Sequence, residues 1–336
     1  MDFKSLIKTK EYDFLRNNEH LGDNIILLGL GGSHAYGTNI EGSDVDIRGC
    51  ALNRKADILT NQDFKQFVNE ETDTTIYSFN KLITLLTNVN PNTIEMLGLK
   101  PEHYLYMSKI GEELLNNKKL FLSRKCIHSF GGYANQQLYR LKQKSKHQLE
   151  HDELEQHILK TLDNIQATFG DKYGKPEDSL KLYIDSSNQE KYDTEIFMDI
   201  NLKHYPLRDY NGMLAELQQT VRQYGKVGVR NSKAIEHGKI NKHMMHLIRL
   251  YLMCFDILEK EEIVTYREKE HDFLMDIRNG KYTTEDNQVL PEFYDIVNEY
   301  EKRLEYDKNN TSLPDKPDYK KINEFVMDVN WRVVRY

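Results

Sequence analysis

The sequence contains few of the residues that mark several protein classes. Its 336 residues include three cysteines, seven prolines and one tryptophan. Cys50, Cys126 and Cys254 have the spacing of neither a metal site nor a disulfide framework, so we expect reduced thiols in or near the core of a cytoplasmic protein. No apolar run reaches the roughly 18 residues of a membrane span, and "MDFKSLIKTK" lacks the apolar stretch of a signal peptide. We therefore expect neither a disulfide scaffold nor a membrane protein.

An excess of positive charge is also missing. Lysine and arginine number 46 against 53 aspartates and glutamates, which gives a formal net charge of -7. This balance argues against a globally basic nucleic-acid binder but leaves room for local basic patches. The hydrophobic fraction of 39% and the length fit one large globular domain or two smaller ones.

A glycine turn follows the first apolar run. "NIILLGL", residues 24–30, has the length and β-branched content of a buried strand. Gly31-Gly32-Ser33 then predicts a turn, and "HAYGTN" predicts one or two helical turns closed by Gly37. Glycines let the backbone approach a ligand, and helix N-termini attract anions. The segment predicts a phosphate site or, alternatively, an ordinary tight turn.

Two acids follow this turn in "SDVDIRGCAL", residues 43–52. The alternation predicts a strand with Asp44, Asp46 and Arg48 on one face and apolar residues on the other. Neighbouring carboxylates repel each other unless they are solvated or share a cation, and Mg²⁺ takes carboxylate and phosphate oxygens. A phosphate turn about a dozen residues before paired acids suits phosphoryl or nucleotidyl transfer.

These residues resemble a known superfamily. Gly32-Ser33 followed by Asp44-Val45-Asp46 is similar to the glycine–serine and paired-acid motifs of the DNA polymerase beta-like nucleotidyltransferases. The string "GGSHAYGTNIEGSDVDIRG" more narrowly resembles predicted nucleotidyltransferases found beside RNA ligases. The resemblance implies that Gly32 and Ser33 hold the triphosphate, and that Asp44 and Asp46 hold two Mg²⁺ ions, with Mn²⁺ as an alternative.

The resemblance also implies a third metal-binding carboxylate on a neighbouring strand. Asp73, at the head of the predicted strand "DTTIYSF", is the candidate, and Glu70 and Glu71 compete with it. Arg48 shares the predicted acid face, where it can bind a phosphate or form a salt bridge to Asp46 or another neighbour.

A cationic stripe lies far downstream. Lys242, His246 and Arg249 are spaced i, i+4 and i+7, so they share one face of a predicted helix. The resemblance implies that they bind the nucleotide; a solvated basic face is the alternative.

The fold class follows from these segments. We expect an α+β protein with a small mixed-sheet nucleotidyltransferase core over residues 1–122, including a first helix over 3–18. A mostly helical domain over 123–336 should contain a hairpin or mobile insertion near 180–201.

The predicted function is Mg²⁺-dependent transfer of a nucleotide from an NTP, ATP favoured, to an RNA or tRNA end. AMPylation of a protein, modification of a small molecule, and an inactive nucleotide-binding scaffold are the alternatives. Two basic clusters could hold RNA, or they are solvated faces. They contain Lys118, Lys119, Arg124 and Lys125, and then Tyr133, Tyr139, Arg140, Lys142, Lys144, Lys146 and His147.

Overall fold

The protein divides into two compact units. The computed structural model describes residues 2–60, 64–144, 160–161, 163–165, 179–186, 194–225, 239–284 and 288–335. The first unit comprises residues 1–130, 249–275 and 299–336, and the second comprises 131–248 and 276–298. The domain boundary expected after residue 122 stays a prediction.

The first unit is built around a five-stranded mixed sheet. Its strand order is β3-β4-β2-β1-β5, with β2 and β4 parallel and the other neighbours antiparallel. This sheet and the flanking helices confirm the predicted fold class. The strands are β1 (Ile25–Leu30), β2 (Ile47–Ala51), β3 (Gln66–Asn69), β4 (Thr74–Ser78) and β5 (Tyr104–Met107).

Helices flank the sheet and make up most of the described part of the later chain. None of those in the described ranges is long and apolar enough to cross a membrane. The earlier helices are α1 (Phe3–Leu6), α2 (Phe14–Asn17), α3 (Gly32–Tyr36), α4 (Lys55–Thr60), α5 (Phe79–Thr87), α6 (Pro91–Ile94) and α7 (Lys109–Asn116). The later ones are α8 (Lys125–Lys144), α9 (Leu207–Gly225), α10 (Lys239–Lys260), α11 (His271–Arg278), α12 (Pro291–Asn310) and α13 (Tyr319–Arg335).

Burial of β1 explains its apolar sequence. All six of its residues are buried, because it has a paired strand on each side and lies within the core. Helix α5 contributes the buried side chains of Phe79, Leu82 and Leu86 to the core. The three cysteines are free and buried, as predicted. The glycine turn therefore directly follows a strand whose position is fixed by packing in the core.

The predicted helix over residues 3–18 is wrong as a single element. The chain forms α1 and α2 with one turn of 3₁₀ helix, Lys10–Tyr12, between them. The Arg16 guanidinium donates hydrogen bonds to the backbone oxygens of Ile7 and Thr9, at 2.9 and 3.1 Å. Helical spacing in the sequence was misleading because this side chain binds carbonyls that a continuous helix would use itself.

The second unit contains a two-stranded antiparallel sheet. Its strands β6 (Leu180–Ser186) and β7 (Thr194–Ile200) lie in the stretch where a hairpin or mobile insertion was expected. Leu180 and Leu182 on β6 and Met213 on α9 form its buried cluster. Much of the second unit lies outside the described residues.

Candidate active site

The glycine turn packs directly against one of the acids. The Gly31 N–H donates to the Asp46 backbone oxygen at 2.8 Å, immediately after β1 ends. Gly32 has a φ of +54°, and a Cβ atom added there would overlap Oδ2 of Asp46. Helix α3 then ends at Tyr36 and is capped by Gly37, whose φ of +73° is left-handed. Glycine is needed at position 32 for its backbone conformation and for the close approach of the carboxylate.

Two acids precede two parallel strands at one sheet edge. In the β2–β4 ladder Ile47 is the partner of Thr74, so Asp46 and Asp73 each come one residue before that pair. The Ile47 N–H donates to the Asp73 backbone oxygen at 3.1 Å. The parallel pairing therefore brings two carboxylates together that lie 27 positions apart in the chain.

The β3–β4 turn sets the position of Asp73. Residues 70–73 form the turn, and Asn69 Oδ1 accepts a hydrogen bond from the Thr72 N–H at 3.0 Å. Asp73 has a φ of +44°, a left-handed conformation that aspartate tolerates better than most residues. Glu70 and Glu71 are exposed members of the same turn. Of the three competing acids, the structure brings Asp73 next to Asp46.

Arg48 links these two acids. Its guanidinium lies 3.2 Å from Asp46 Oδ1 and 3.6 Å from Asp73 Oδ1, and it donates a 2.9 Å hydrogen bond to the Asp73 backbone oxygen. The Arg48 side chain is 21% exposed, whereas that of Asp73 is 57% exposed. In this structure Arg48 therefore pairs with acids, and its contacts with the carboxylates are long and partly open to solvent.

The predicted strand over residues 43–52 begins later than expected. Strand β2 starts at Ile47, and Ser43 to Asp46 are irregular, with Asp44 exposed. The physical reason is that β1 ends at Leu30, the partner of Ile47, and the chain then turns into α3. The strand-face argument therefore does not fix the direction of the Asp44 side chain.

The acids at this sheet edge have the oxygen ligands that a cation such as Mg²⁺ needs. Asp46 and Asp73 supply oxygen ligands of the type that Mg²⁺ prefers, and the Gly32 turn touches the first of them. The described ranges contain no group of three or more histidine, cysteine or acidic residues already arranged to hold a metal. Arg48 supplies the positive charge between the acids instead. The oxygen chemistry fits a divalent cation, and the predicted metal ligands stay predictions.

The contacts of Tyr36 and Glu95 beside these acids were missed by sequence reasoning, which had named Arg249. The Tyr36 hydroxyl donates to Glu95 Oε2 at 2.8 Å, and the Arg249 guanidinium carbon lies 3.3 Å from the centre of the Tyr36 ring. Burial raises the pKa of Glu95, the Arg249 charge opposes that rise, and Arg48 and Asp46 also act on this pKa. Glu95 is a lone acid in the apolar segment "NPNTIEMLGL", and that was the one available signal.

The cationic stripe lies on one helix but in two units. Helix α10 contains Lys242, His246 and Arg249, as the spacing predicts. Lys242 is exposed and His246 is partly buried, and both belong to the second unit, whereas Arg249 belongs to the first. Contact of Lys242 and His246 with a nucleotide stays a prediction, as do the phosphate roles of Gly32 and Ser33.

The first basic cluster is largely engaged within the protein. Arg124 contacts Asp315 at 3.3 Å and donates to the Thr311 backbone oxygen at 3.0 Å. Lys125 Nζ donates to the Tyr319 hydroxyl at 2.6 Å. In the second cluster, the side chains of Tyr139, Arg140, Lys142 and Lys144 and all of Lys146 and His147 lie outside the described residues.

A mixed sheet with a glycine turn beside paired acids is the arrangement expected of a polymerase beta-like nucleotidyltransferase. A family model, RlaP, described as the RNA repair pathway DNA polymerase beta family, matches residues 7–161. The match covers slightly less than half of the chain and confirms the predicted resemblance to polymerase beta-like nucleotidyltransferases. Comparisons with curated proteins and with solved structures gave no match.

Proposed function

We propose that this protein moves a nucleoside monophosphate from an NTP, with ATP favoured, to a hydroxyl at an RNA or tRNA end and releases pyrophosphate. One observation carries the proposal: Asp46 touches the Gly32 turn on one side and shares Arg48 with Asp73 on the other. A backbone turn suited to phosphates and two acids suited to a cation thus meet at one sheet edge. A cytoplasmic location belongs to the same proposal.

Each predicted residue has a role in this reaction. Gly32 and Ser33 bind the triphosphate, and Asp44, Asp46 and Asp73 hold Mg²⁺ or Mn²⁺. When bound, the metal ions neutralise the phosphates and lower the pKa of the acceptor hydroxyl. Asp73 helps to remove the proton of the acceptor hydroxyl. The acceptor oxygen bonds to the α-phosphorus as the bond from that phosphorus to the bridging oxygen breaks, and pyrophosphate leaves with that electron pair. The nucleotide phosphates are also bound by Arg48, Lys242, His246 and Arg249.

Arg48 is the residue whose contacts must change. It neutralises Asp46 and Asp73 in the present structure, and its long contacts to both carboxylates are partly open to solvent. Asp46 and Asp73 would hold a divalent cation through their carboxylate oxygens, and its charge, twice that of Arg48, would weaken the hold of these acids on the guanidinium. The freed guanidinium can then donate to a phosphate, which is its other predicted partner.

RNA is the favoured acceptor because the description of the matching family names an RNA repair pathway. The test is incubation with each α-³²P-labelled NTP and Mg²⁺ or Mn²⁺, offering total RNA and a protein lysate separately. We expect label in RNA. Label in protein alone would contradict the RNA acceptor and favour AMPylation, and no label in any fraction would contradict catalysis.

The control variants separate this site from contaminating activity. The double variant Asp44→Asn with Asp46→Asn should transfer no label while keeping its melting temperature. Asp23→Asn changes an exposed acid of the same unit in the same way and should match the wild type. Equal labelling by the double variant and the wild type would show that the site is assigned wrongly.

A further inference from the structure

Arg249 is a buried arginine, and one of its guanidinium nitrogens has no hydrogen-bond partner among the described residues. The residue is 7% exposed, and its guanidinium carbon lies 3.3 Å from the centre of the Tyr36 ring. Its Nε atom is buried and has no hydrogen-bond partner among the residues that the structure describes. Buried charges normally have direct partners, because removing them from water is costly. An anionic ligand beside the other N–H groups of the guanidinium would supply this charge with a hydrogen-bonded partner.

Tyr36 is fixed at both ends. It is the last residue of α3, the short helix that begins at Gly32. Its backbone oxygen accepts a hydrogen bond from the Arg267 N–H at 3.2 Å, and its hydroxyl donates to Glu95 Oε2 at 2.8 Å. The ring therefore presents a fixed face to the guanidinium, and a cation held over such a face is attracted to it.

Glu95 is itself held in place. Its backbone oxygen accepts hydrogen bonds from the Thr265 hydroxyl at 2.7 Å and from the Gly98 N–H at 3.1 Å. Its carboxylate interacts electrostatically with Arg249, and also with Arg48 and Asp46 of the acid edge. The Glu95 carboxylate thus attracts Arg249, while one oxygen of this carboxylate accepts the hydrogen bond from the Tyr36 hydroxyl.

We propose that Tyr36 and Glu95 are positioning residues that hold Arg249 as a phosphate-binding group of the nucleotide site. The ring covers one face of the guanidinium and leaves its in-plane N–H groups for an anion, which is the geometry that phosphate oxygens use. This inference rests on the proposed nucleotidyltransferase function, because a nucleotide must bind beside the Gly32 turn.

The test measures ATP affinity by equilibrium dialysis with radiolabelled ATP and Mg²⁺, without an acceptor. The variants are Tyr36→Phe, Glu95→Gln and Arg249→Gln, together with the double variants that combine each of the first two with the third. Tyr104→Phe is the matched control, because its hydroxyl donates to the Met96 backbone oxygen at 3.0 Å in the same unit. Melting temperatures show that each variant is folded.

We expect Arg249→Gln to weaken ATP binding about 10- to 30-fold, and Tyr36→Phe and Glu95→Gln about 3- to 10-fold each. In the Arg249→Gln background the two other changes should alter affinity by less than about twofold, because their effect passes through the guanidinium. A purely structural role would weaken binding equally in both backgrounds. Tyr104→Phe should bind ATP like the wild type.

The inference would be overturned, without affecting the proposed function, by wild-type affinity in both Tyr36→Phe and Glu95→Gln, by equal losses in the two backgrounds, or by wild-type affinity in Arg249→Gln. Tighter binding by Glu95→Gln would also overturn it, since the carboxylate would then compete with the phosphates. If the wild type binds none of the four NTPs, the result contradicts the proposed function. The inference is then contradicted as well, because it requires a bound nucleotide.

Discussion

Two arginine–carboxylate clusters in the first unit differ in how completely their charges are matched. Arg267 is 2% exposed and contacts Asp256, which Lys260 also contacts at 2.6 Å, so two cations share one acid. At the sheet edge one cation, Arg48, serves two acids, Asp46 and Asp73, at longer distances. In these contacts the first cluster has two cations for one acid, whereas the second has one cation for two acids.

This difference separates a structural cluster from a candidate site. A buried ion pair stabilises the fold only while both partners are present. An acid edge with two carboxylates around one guanidinium can gain a divalent cation, and it lies against the Gly32 turn. This difference in charge ratio predicts different effects for substitutions in the two clusters.

The largest effect is expected from Asp46→Asn. It should lower the rate of nucleotide transfer at least about 1000-fold, because metal-ion catalysis supplies several kcal/mol of transition-state stabilisation. The free energy of unfolding should change by less than about 1 kcal/mol, since Asp46 is a partly exposed partner of Arg48. Single-turnover rates and urea denaturation test both statements, and an active variant would remove the distinction between the clusters.

For Asp256→Asn we expect a large loss of stability, in contrast to the small loss expected for Asp46→Asn. Removing the carboxylate leaves the Arg267 charge buried, so we expect a loss of about 3–5 kcal/mol in the free energy of unfolding. Asp315→Asn breaks a pair with Arg124 whose side chains are 40% and 83% exposed, and it should cost less than about 1 kcal/mol. Urea denaturation compares the two. Equal costs would mean that burial does not distinguish these pairs.

A smaller effect is expected from Asp73→Asn. Asparagine also tolerates the left-handed conformation at this position, so the turn should persist while one carboxylate is lost. We expect the transfer rate to fall about 10- to 100-fold, whereas Glu70→Gln and Glu71→Gln should stay within about twofold. A greater loss at either glutamate would show that the third ligand is assigned wrongly.

Local patterns in the sequence predicted the fold where packing agrees with them. The apolar run before residue 31, the glycine turn and the β-branched strand after Asp73 all lie where the sequence indicates. The break in the first helix depends on contacts of the Arg16 side chain with carbonyls seven and nine residues earlier, and the late start of β2 depends on where β1 ends. No periodicity within one segment contains that information.

The candidate site shows the same limit. The spacing of Gly32, Asp44 and Asp46 indicated the chemistry, but the Arg48 bridge depends on parallel pairing with β4. Glu95 joins the site through the hydroxyl of Tyr36, 59 residues away. A single acid in an apolar segment indicates that the side chain is removed from solvent, but it does not indicate which residue the acid contacts.

The most direct test of the acid edge is Mn²⁺ binding without nucleotide, followed by electron paramagnetic resonance. The wild type should bind Mn²⁺, and Asp46→Asn should bind it at least about tenfold more weakly. Arg48→Gln should bind it several-fold more tightly, because the guanidinium no longer competes for Asp46 and Asp73. Equal Mn²⁺ affinity in the wild type and in Asp46→Asn would contradict a cation site at this sheet edge.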